Sequence, residues 1–140
     1  MYREENRAPN ENSYMVISEM ILGGIALELF MKGIIRSNSP TANLKSYGHN
    51  LKKMYDSLSD DIKSHIYNDV RETYAMNGSI LHDTTHLESL IDMHKDTFII
   101  FRYLFEDDYY AKMTNHSPLF IYAITVCLYN YVASHKDDFV

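Results

Sequence analysis

The chain has 140 residues, 46% of them hydrophobic and 23% charged, so it can bury a core and is too apolar for global disorder. Its formal net charge of −6 disfavours broad electrostatic binding to nucleic acid or an anionic membrane, although a local basic patch is compatible with it. The single cysteine, Cys127, excludes an internal disulfide and suits a reducing compartment, so we expect a cytoplasmic protein.

The first twelve residues are polar and include Pro9, which predicts a flexible arm over 1–12 and one domain over 13–140. The arm has no apolar run, so we expect neither a signal peptide nor a membrane anchor there. Asn12 or Ser13 has the side chain to cap the helix that follows.

Residues 14–35 have apolar side chains on nearly every side of a 3.6-residue period, which predicts a buried central helix. The same stretch could be mistaken for a membrane span. Glu19, Glu28 and Lys32 argue against a span, because each is costly at the centre of a bilayer. We therefore expect a helix wrapped by other helices, and no membrane association.

Two features of this central helix predict contacts. Gly23 and Gly24 weaken a helix interior by about 1 kcal/mol each, and the usual compensation is close approach by another helix. Glu28 and Lys32 stand one turn apart in the favourable order for an ion pair. The pair either satisfies itself or also meets partners from other helices.

Further along, the composition of 37–48 predicts a loop, and 48–58 restarts a short helix. The apolar stripe of this short helix is Leu51, Met54, Tyr55 and Leu58. Ser59 is expected to cap a third helix that ends at Asn77-Gly78. The inward positions of the third helix are Ile62, Ile66, Val70 and Tyr74.

Residues 85–88 have the pattern of a capping box, which predicts a fourth helix over 86–107. The inward stripe of this helix is Leu87, Ile91, His94, Phe98, Phe101 and Phe105. Ser117 followed by Pro118 predicts the start of a last helix, which runs to about residue 134. No strand alternation or repeat is present, so the sequence predicts an all-α antiparallel bundle of four or five helices.

The last helix has more apolar surface than one neighbour can cover. The residues expected on its surplus face are Phe120, Ile124, Leu128, Tyr131 and their neighbours. A second copy of the chain is the simplest cover, so we expect a homodimer through the C-terminal helix.

Three histidines could suggest a metal site. His82 and His86 have the i,i+4 spacing of metal ligands, and His94 follows. The predicted cap, however, leaves His82 outside the helix that begins at His86, so the two do not share a face. We therefore expect no metal site among these histidines and no cofactor.

Arg102 shares the inward stripe of the fourth helix with Phe98, which is unusual for a charged residue without a partner. Glu106 and Glu28 are the candidate partners, and an internal ion pair would make Arg102 structural. The alternative is an open cleft in which its guanidinium meets a phosphate. His49, which begins a helix after a long loop, is a cap, a packing residue or a catalytic base.

Three stretches together resemble a known family. LELFMKGII (27–35), GHNLKKMYDSL (48–58) and FRYLFE (101–106) are similar in order and spacing to the HEPN superfamily (higher eukaryotes and prokaryotes nucleotide-binding). The resemblance covers about residues 14–108. It implies a HEPN-like helical bundle, often dimeric, of the kind found in prokaryotic toxin–antitoxin, antiphage defence and abortive-infection systems.

The ribonuclease members of that superfamily have an Arg followed by a His after four to six residues. Here the next histidine follows Arg36, Arg71 and Arg102 only after ten or more residues. The catalytic pair therefore cannot be assigned, and we expect no RNA cleavage by the standard HEPN mechanism. His49 and Arg102, brought together by folding, remain the candidate catalytic residues.

The candidate binding site is a polar cluster that should converge in one region of the bundle. Its members are Glu28, Lys32, His49, Arg102, Tyr103 and Glu106. Three functions stay open: a non-catalytic HEPN-like module that binds a nucleotide, RNA or protein, an unusual metal-independent ribonuclease, and an acidic inhibitor or antitoxin-like protein. We favour the first.

Overall fold

The computed structural model describes the backbone of residues 11–102 and 116–139, with the side chains of 18–100 and 116–138. These residues form helices and no strands, so the predicted all-α bundle is confirmed. The described α-helices are α1 (Glu11–Asn38), α2 (Leu51–Asp56), α3 (Asp60–Met76), α4 (Thr84–Met93), α5 (Thr97–Arg102) and α6 (Pro118–Ser134). Two short 3₁₀ helices, Leu44–Tyr47 and Lys136–Phe139, accompany them.

The central position of α1 is confirmed, because it packs against α2, α5 and α6. Leu27, Met31 and Ile34 are fully buried on this helix and belong to a core shared with α2, α3, α4 and α6. None of the helices in the described parts of the chain combines the length and apolarity needed to cross a bilayer.

The glycine pair lies where two helices approach α1 most closely, as predicted. A Cβ atom on Gly23 would lie 2.7 Å from Ile121 Cγ2 of α6, and one on Gly24 would lie 2.9 Å from Thr97 Cγ2 of α5. Both distances are too short for carbon atoms that are not bonded. The absence of side chains therefore sets how closely α5 and α6 pack against α1.

The predicted stripes of α2 and α3 are buried, and the predicted limits of α3 are confirmed. Ser59 Oγ accepts a hydrogen bond from the Ile62 amide, so it caps α3. Asn77 ends the helix, and Gly78 follows in a left-handed conformation with φ of 73°.

The prediction of one helix over 86–107 is wrong within the described residues. The chain leaves helical geometry after Met93 and starts α5 at Thr97, and the cap of α4 is Asp83 rather than a box at 85–88. The break has a physical reason, because the Lys95 carbonyl accepts a hydrogen bond from the Leu51 amide at 3.0 Å. This carbonyl thereby satisfies an amide at the start of α2.

The start of α6 at Ser117-Pro118 is confirmed, but the prediction of its surplus face is wrong. Phe120, Ile124 and Leu128 are buried in the chain's own core, and Tyr131 is half-buried. The apolar side chains that α6 leaves exposed are instead Tyr122 and Tyr129. Apolar residues lie on almost every side of this helix, so the sequence pattern does not show which face is buried and which is exposed.

At the other end of the chain, α1 already includes Glu11, Asn12 and Ser13. Asn12 and Ser13 therefore lie inside the helix and do not cap it, and α1 includes the last two residues of the arm predicted over 1–12. Residues 1–10 lie outside the described residues.

Candidate functional site

Glu28 and His49 form the centre of the candidate site. His49 Nδ1 lies 2.6 Å from Glu28 Oε1, and since a carboxylate only accepts, Nδ1 carries the hydrogen and donates it. Glu28 is buried in the middle of α1, whereas His49 lies just before α2, after the turn at Gly48. The loop after α1 thus returns the chain to the middle of that helix.

The ring of His49 is also held by an aromatic neighbour. It lies over the ring of Phe98 from α5, with centroids 4.3 Å apart and planes 17° from parallel. Two contacts at right angles, one in the ring plane and one on its face, fix the orientation of the imidazole. Even so, 38% of the His49 side chain is exposed, against 8% for Glu28.

Lys32 completes the observed cluster. Its Nζ lies 3.7 Å from Glu28 Oε1, one helical turn further along α1, and 24% of its side chain is exposed. The sequence left open whether this pair meets partners from other helices, and it does, because the Glu28 carboxylate oxygen is shared with His49. We call Glu28, Lys32, His49 and Phe98 the histidine cluster.

The remaining members of the predicted site are only partly placed. The backbone of Arg102 belongs to α5, one turn after Phe98. Tyr103 and Glu106 lie outside the described residues. The structure therefore brings together three of the predicted residues, Glu28, Lys32 and His49, and adds Phe98. The sequence placed Phe98 in the core stripe and contained no signal that it would stack on a histidine.

A second group of polar side chains lies in the core, between α4, α5 and α6. His94 donates from Nδ1 to the Leu90 carbonyl at 2.6 Å, and its Nε2 accepts from the Ser117 amide at 2.8 Å. Thr97 Oγ1 donates to the His94 carbonyl at 2.6 Å and lies 3.2 Å from His116 Nε2. We call His94, Thr97, His116 and Ser117 the buried polar group.

The pKa of His94 is lowered from 6.5 to about 4, mainly by burial and also by nearby His116, while the hydrogen bond to the Leu90 carbonyl opposes the shift. His94 is fully buried with both ring nitrogens in use, so it is a neutral structural element that joins α4 to the start of α6. His82 and His86, the two histidines with i,i+4 spacing, contact each other instead: His86 Nδ1 accepts a hydrogen bond from the His82 amide at 3.2 Å. His82 and His86 stack on each other and do not converge with His94.

A cavity of about 320 Å³ lies elsewhere, between α1 and α6. Its lining residues are Glu19, Met20, Gly23, Pro118, Ile121, Tyr122, Thr125 and Val126. The hydroxyl of Thr125 is buried there without a hydrogen-bond partner. Glu19 is the one charged residue of this lining, so the cavity has little with which to perform chemistry, and we place the candidate site at the histidine cluster.

The histidine cluster has the parts of two kinds of site. An oriented, half-exposed imidazole on an aromatic ring can stack with a planar ligand, and the neighbouring ammonium can meet an anion. A carboxylate that fixes one ring nitrogen also leaves the other free for proton transfer. His49 Nε2 has no hydrogen-bond partner in the described part of the chain.

No protein-family model, curated protein or solved structure matches this chain. The HEPN resemblance therefore stays a prediction. Identification of the site rests on its own geometry.

Proposed function

We propose that this chain is a non-catalytic helical module that binds a nucleotide or the nucleotides of an RNA at the histidine cluster. The observation that carries the proposal is the His49 ring, held by Glu28, stacked on Phe98 and exposed over 38% of its side chain. Because the ring is already ordered, a base that stacks on it loses little extra conformational freedom on binding.

Charge in the cluster supports a ligand with phosphate. Lys32 is partly exposed and shares Glu28 with His49, so its ammonium is only partly neutralised. Arg102 occupies the position one turn after Phe98 on α5 and is the second candidate cation. The net charge of −6 disfavours long nucleic acids, which favours a nucleotide or a short single strand.

The HEPN resemblance implies that such a module serves a prokaryotic or phage conflict system. Nucleotide binding by the histidine cluster does not depend on that assignment.

The test is calorimetric titration of the purified protein with AMP, ATP and a short single-stranded RNA. We expect His49→Ala to weaken binding by about 5- to 150-fold, the equivalent of the 1–3 kcal/mol that base stacking contributes. His135→Ala is a matched control, because His135 stacks on Tyr131 at 4.2 Å but its Nδ1 bonds a backbone carbonyl, not a carboxylate. Absence of binding to all three probes, or equal weakening by both variants, would reject the proposal.

A metal-independent ribonuclease is the second candidate, and one observation favours it. A buried carboxylate that orients His49 through Nδ1 is the arrangement that a general base needs, since Nε2 then accepts the proton. Arg102 would steady the phosphate. Cleavage of a mixed single-stranded RNA pool without metal, lost in a His49→Ala, Arg102→Ala double variant, would replace the binding module with this enzyme.

We also infer that two copies of the chain associate, through exposed apolar side chains of α1 and of the C-terminal helix α6 rather than through Phe120, Ile124 and Leu128. Leu22, Ile25 and Leu29 form an exposed apolar stripe on α1, and Tyr122 and Tyr129 are exposed on α6. Leu22→Lys with Leu29→Lys should yield a monomer in sedimentation at tens of micromolar. A monomeric wild-type chain at that concentration would contradict the inference.

A further inference from the structure

A second cluster of chemically reactive side chains lies where α3 packs against α6. His65 and Asp69 stand one turn apart on α3, and Cys127 faces them from α6. His65 Nε2 lies 3.2 Å from Asp69 Oδ2. One ligand atom from each of the three residues lies within 4.8 Å of the other two, and this is the one such trio in the described ranges.

These distances are close to those that a tetrahedral zinc ion imposes. Zinc–nitrogen and zinc–oxygen bonds of about 2.0–2.2 Å place two such ligands about 3.4 Å apart, and a zinc–sulfur bond of about 2.3 Å lengthens the edge only slightly. The His65–Asp69 edge already matches. The sulfur lies within 4.8 Å of the other two ligand atoms, so it needs to approach by no more than about 1 Å.

The ligand types select the ion. An imidazole nitrogen, a carboxylate oxygen and a thiolate sulfur suit a borderline cation such as Zn²⁺, whereas Mg²⁺ and Ca²⁺ prefer oxygen ligands alone. Two anionic ligands, Asp69 and the Cys127 thiolate, would balance the double charge of the ion.

We propose that His65, Asp69 and Cys127 bind a zinc-type divalent cation at the α3–α6 contact, with water as the fourth ligand. The site can be entered from the surface, because the side chains of His65 and Asp69 are 44% and 33% exposed. Cys127 is buried and supplies the inner end of the site. When the ion binds, the S–H bond of Cys127 breaks, the sulfur forms a bond to the metal, and the proton passes to solvent.

Bound metal would connect two helices that lie far apart in the sequence. Without metal, Asp69 pairs with His65, and its carboxylate lies near the Cys127 thiol, whose pKa is raised by burial and by this negative charge. The same carboxylate therefore serves a weaker, metal-free contact between the helices.

The experiment uses the untagged full chain after treatment with a chelator, titrated with Co²⁺ as a spectroscopic probe and then with Zn²⁺. We expect one equivalent of Co²⁺ to bind and to produce thiolate-to-cobalt charge-transfer absorption in the near ultraviolet. Zn²⁺ should displace the cobalt, remove the absorption and raise the melting temperature. No binding, or binding without the thiolate absorption, would overturn the proposal.

Two variants locate the ion. His65→Ala changes an exposed residue, so the fold is kept, and we expect it to weaken Zn²⁺ binding by at least about 100-fold, because loss of even an outer partner of a metal ligand costs 10- to 100-fold. His82→Ala is the matched control, since it removes an exposed histidine outside the trio. Equal affinity in His65→Ala and wild type, or a larger loss in His82→Ala, would place the ion elsewhere and reject the site.

Discussion

His49 and His94 are two histidines of the same bundle in opposite surroundings. His49 is half-exposed, donates to a carboxylate and leaves Nε2 without a partner in the described part of the chain. His94 is fully buried, and both of its ring nitrogens bond to backbone groups. His94 has no capacity left for a ligand, whereas His49 has a ring edge available.

The difference shows how surroundings decide whether a histidine has capacity left for a ligand. Neutral backbone partners and full burial keep His94 uncharged, since protonation would turn its Nε2 into a donor facing the Ser117 amide. His49 instead bonds to a carboxylate through one ring nitrogen, and 38% of its side chain is exposed. The bundle therefore uses one histidine to join helices and presents the other to solvent.

The largest expected effect is a contrast in stability between the two sites. His94→Ala should lower the free energy of unfolding by about 3–5 kcal/mol, because it opens a cavity and leaves the Ser117 amide and Leu90 carbonyl unpaired. His49→Ala should cost about 1 kcal/mol, since water can replace its bond to Glu28. Urea unfolding at pH 7.5 measures the free energy of unfolding of both variants. Similar decreases for His94→Ala and His49→Ala would contradict the proposed difference between the two sites.

The stability that buried His94 contributes should also depend on pH. The folded pKa of His94, about 4, is below its ordinary 6.5, so between these values the unfolded chain takes up a proton that the folded chain does not. His94 therefore contributes stability that is complete above pH 6.5 and is lost as the pH falls to 4, by about 3 kcal/mol in total.

The measurement is the free energy of unfolding in urea from pH 7.5 to 4. Other groups also titrate in this range, so the wild type is compared with His94→Gln, which cannot take up the proton. The wild type should lose about 3 kcal/mol more than the variant over this range. Parallel pH profiles would show that His94 titrates normally in the folded chain.

The smallest effect concerns the glycine that lies against the buried polar group. Gly24→Ala should cost about 1–2 kcal/mol, because the new Cβ meets Thr97 Cγ2 and overpacking outweighs the gain in helix propensity. Thr97→Ser removes that methyl group and keeps the hydroxyl that donates to the His94 carbonyl.

Unfolding of the two single variants and the double variant forms a thermodynamic cycle. In the Thr97→Ser background, Gly24→Ala should be nearly neutral, with a coupling energy of about 1–2 kcal/mol. If the decreases in unfolding free energy of the two single variants simply add up in the double variant, then Gly24 is needed for a reason other than its contact with Thr97.

Much of this fold could be read from the sequence, because helix ends and helix faces depend on nearby residues. The capping side chains of Ser59 and Ser117 act within three residues, and the inward stripe of α3 repeats every four. Gly23 and Gly24 indicated close packing, since little else justifies two glycines in a helix interior. The pair of buried Glu28 with partly exposed Lys32 also followed from spacing along α1.

Only the tertiary structure decided which of these elements meet. His49 reaches Glu28 and Phe98 because the loop after α1 returns to that helix, and α4 ends at Met93 because a carbonyl from the break bonds to α2. Cys127 joins His65 and Asp69 by the same kind of long-range contact. Such contacts depend on how whole helices are placed relative to one another, which no short stretch of sequence specifies, whereas a cap or a stripe is determined by hydrogen bonds and side-chain positions within one or two turns.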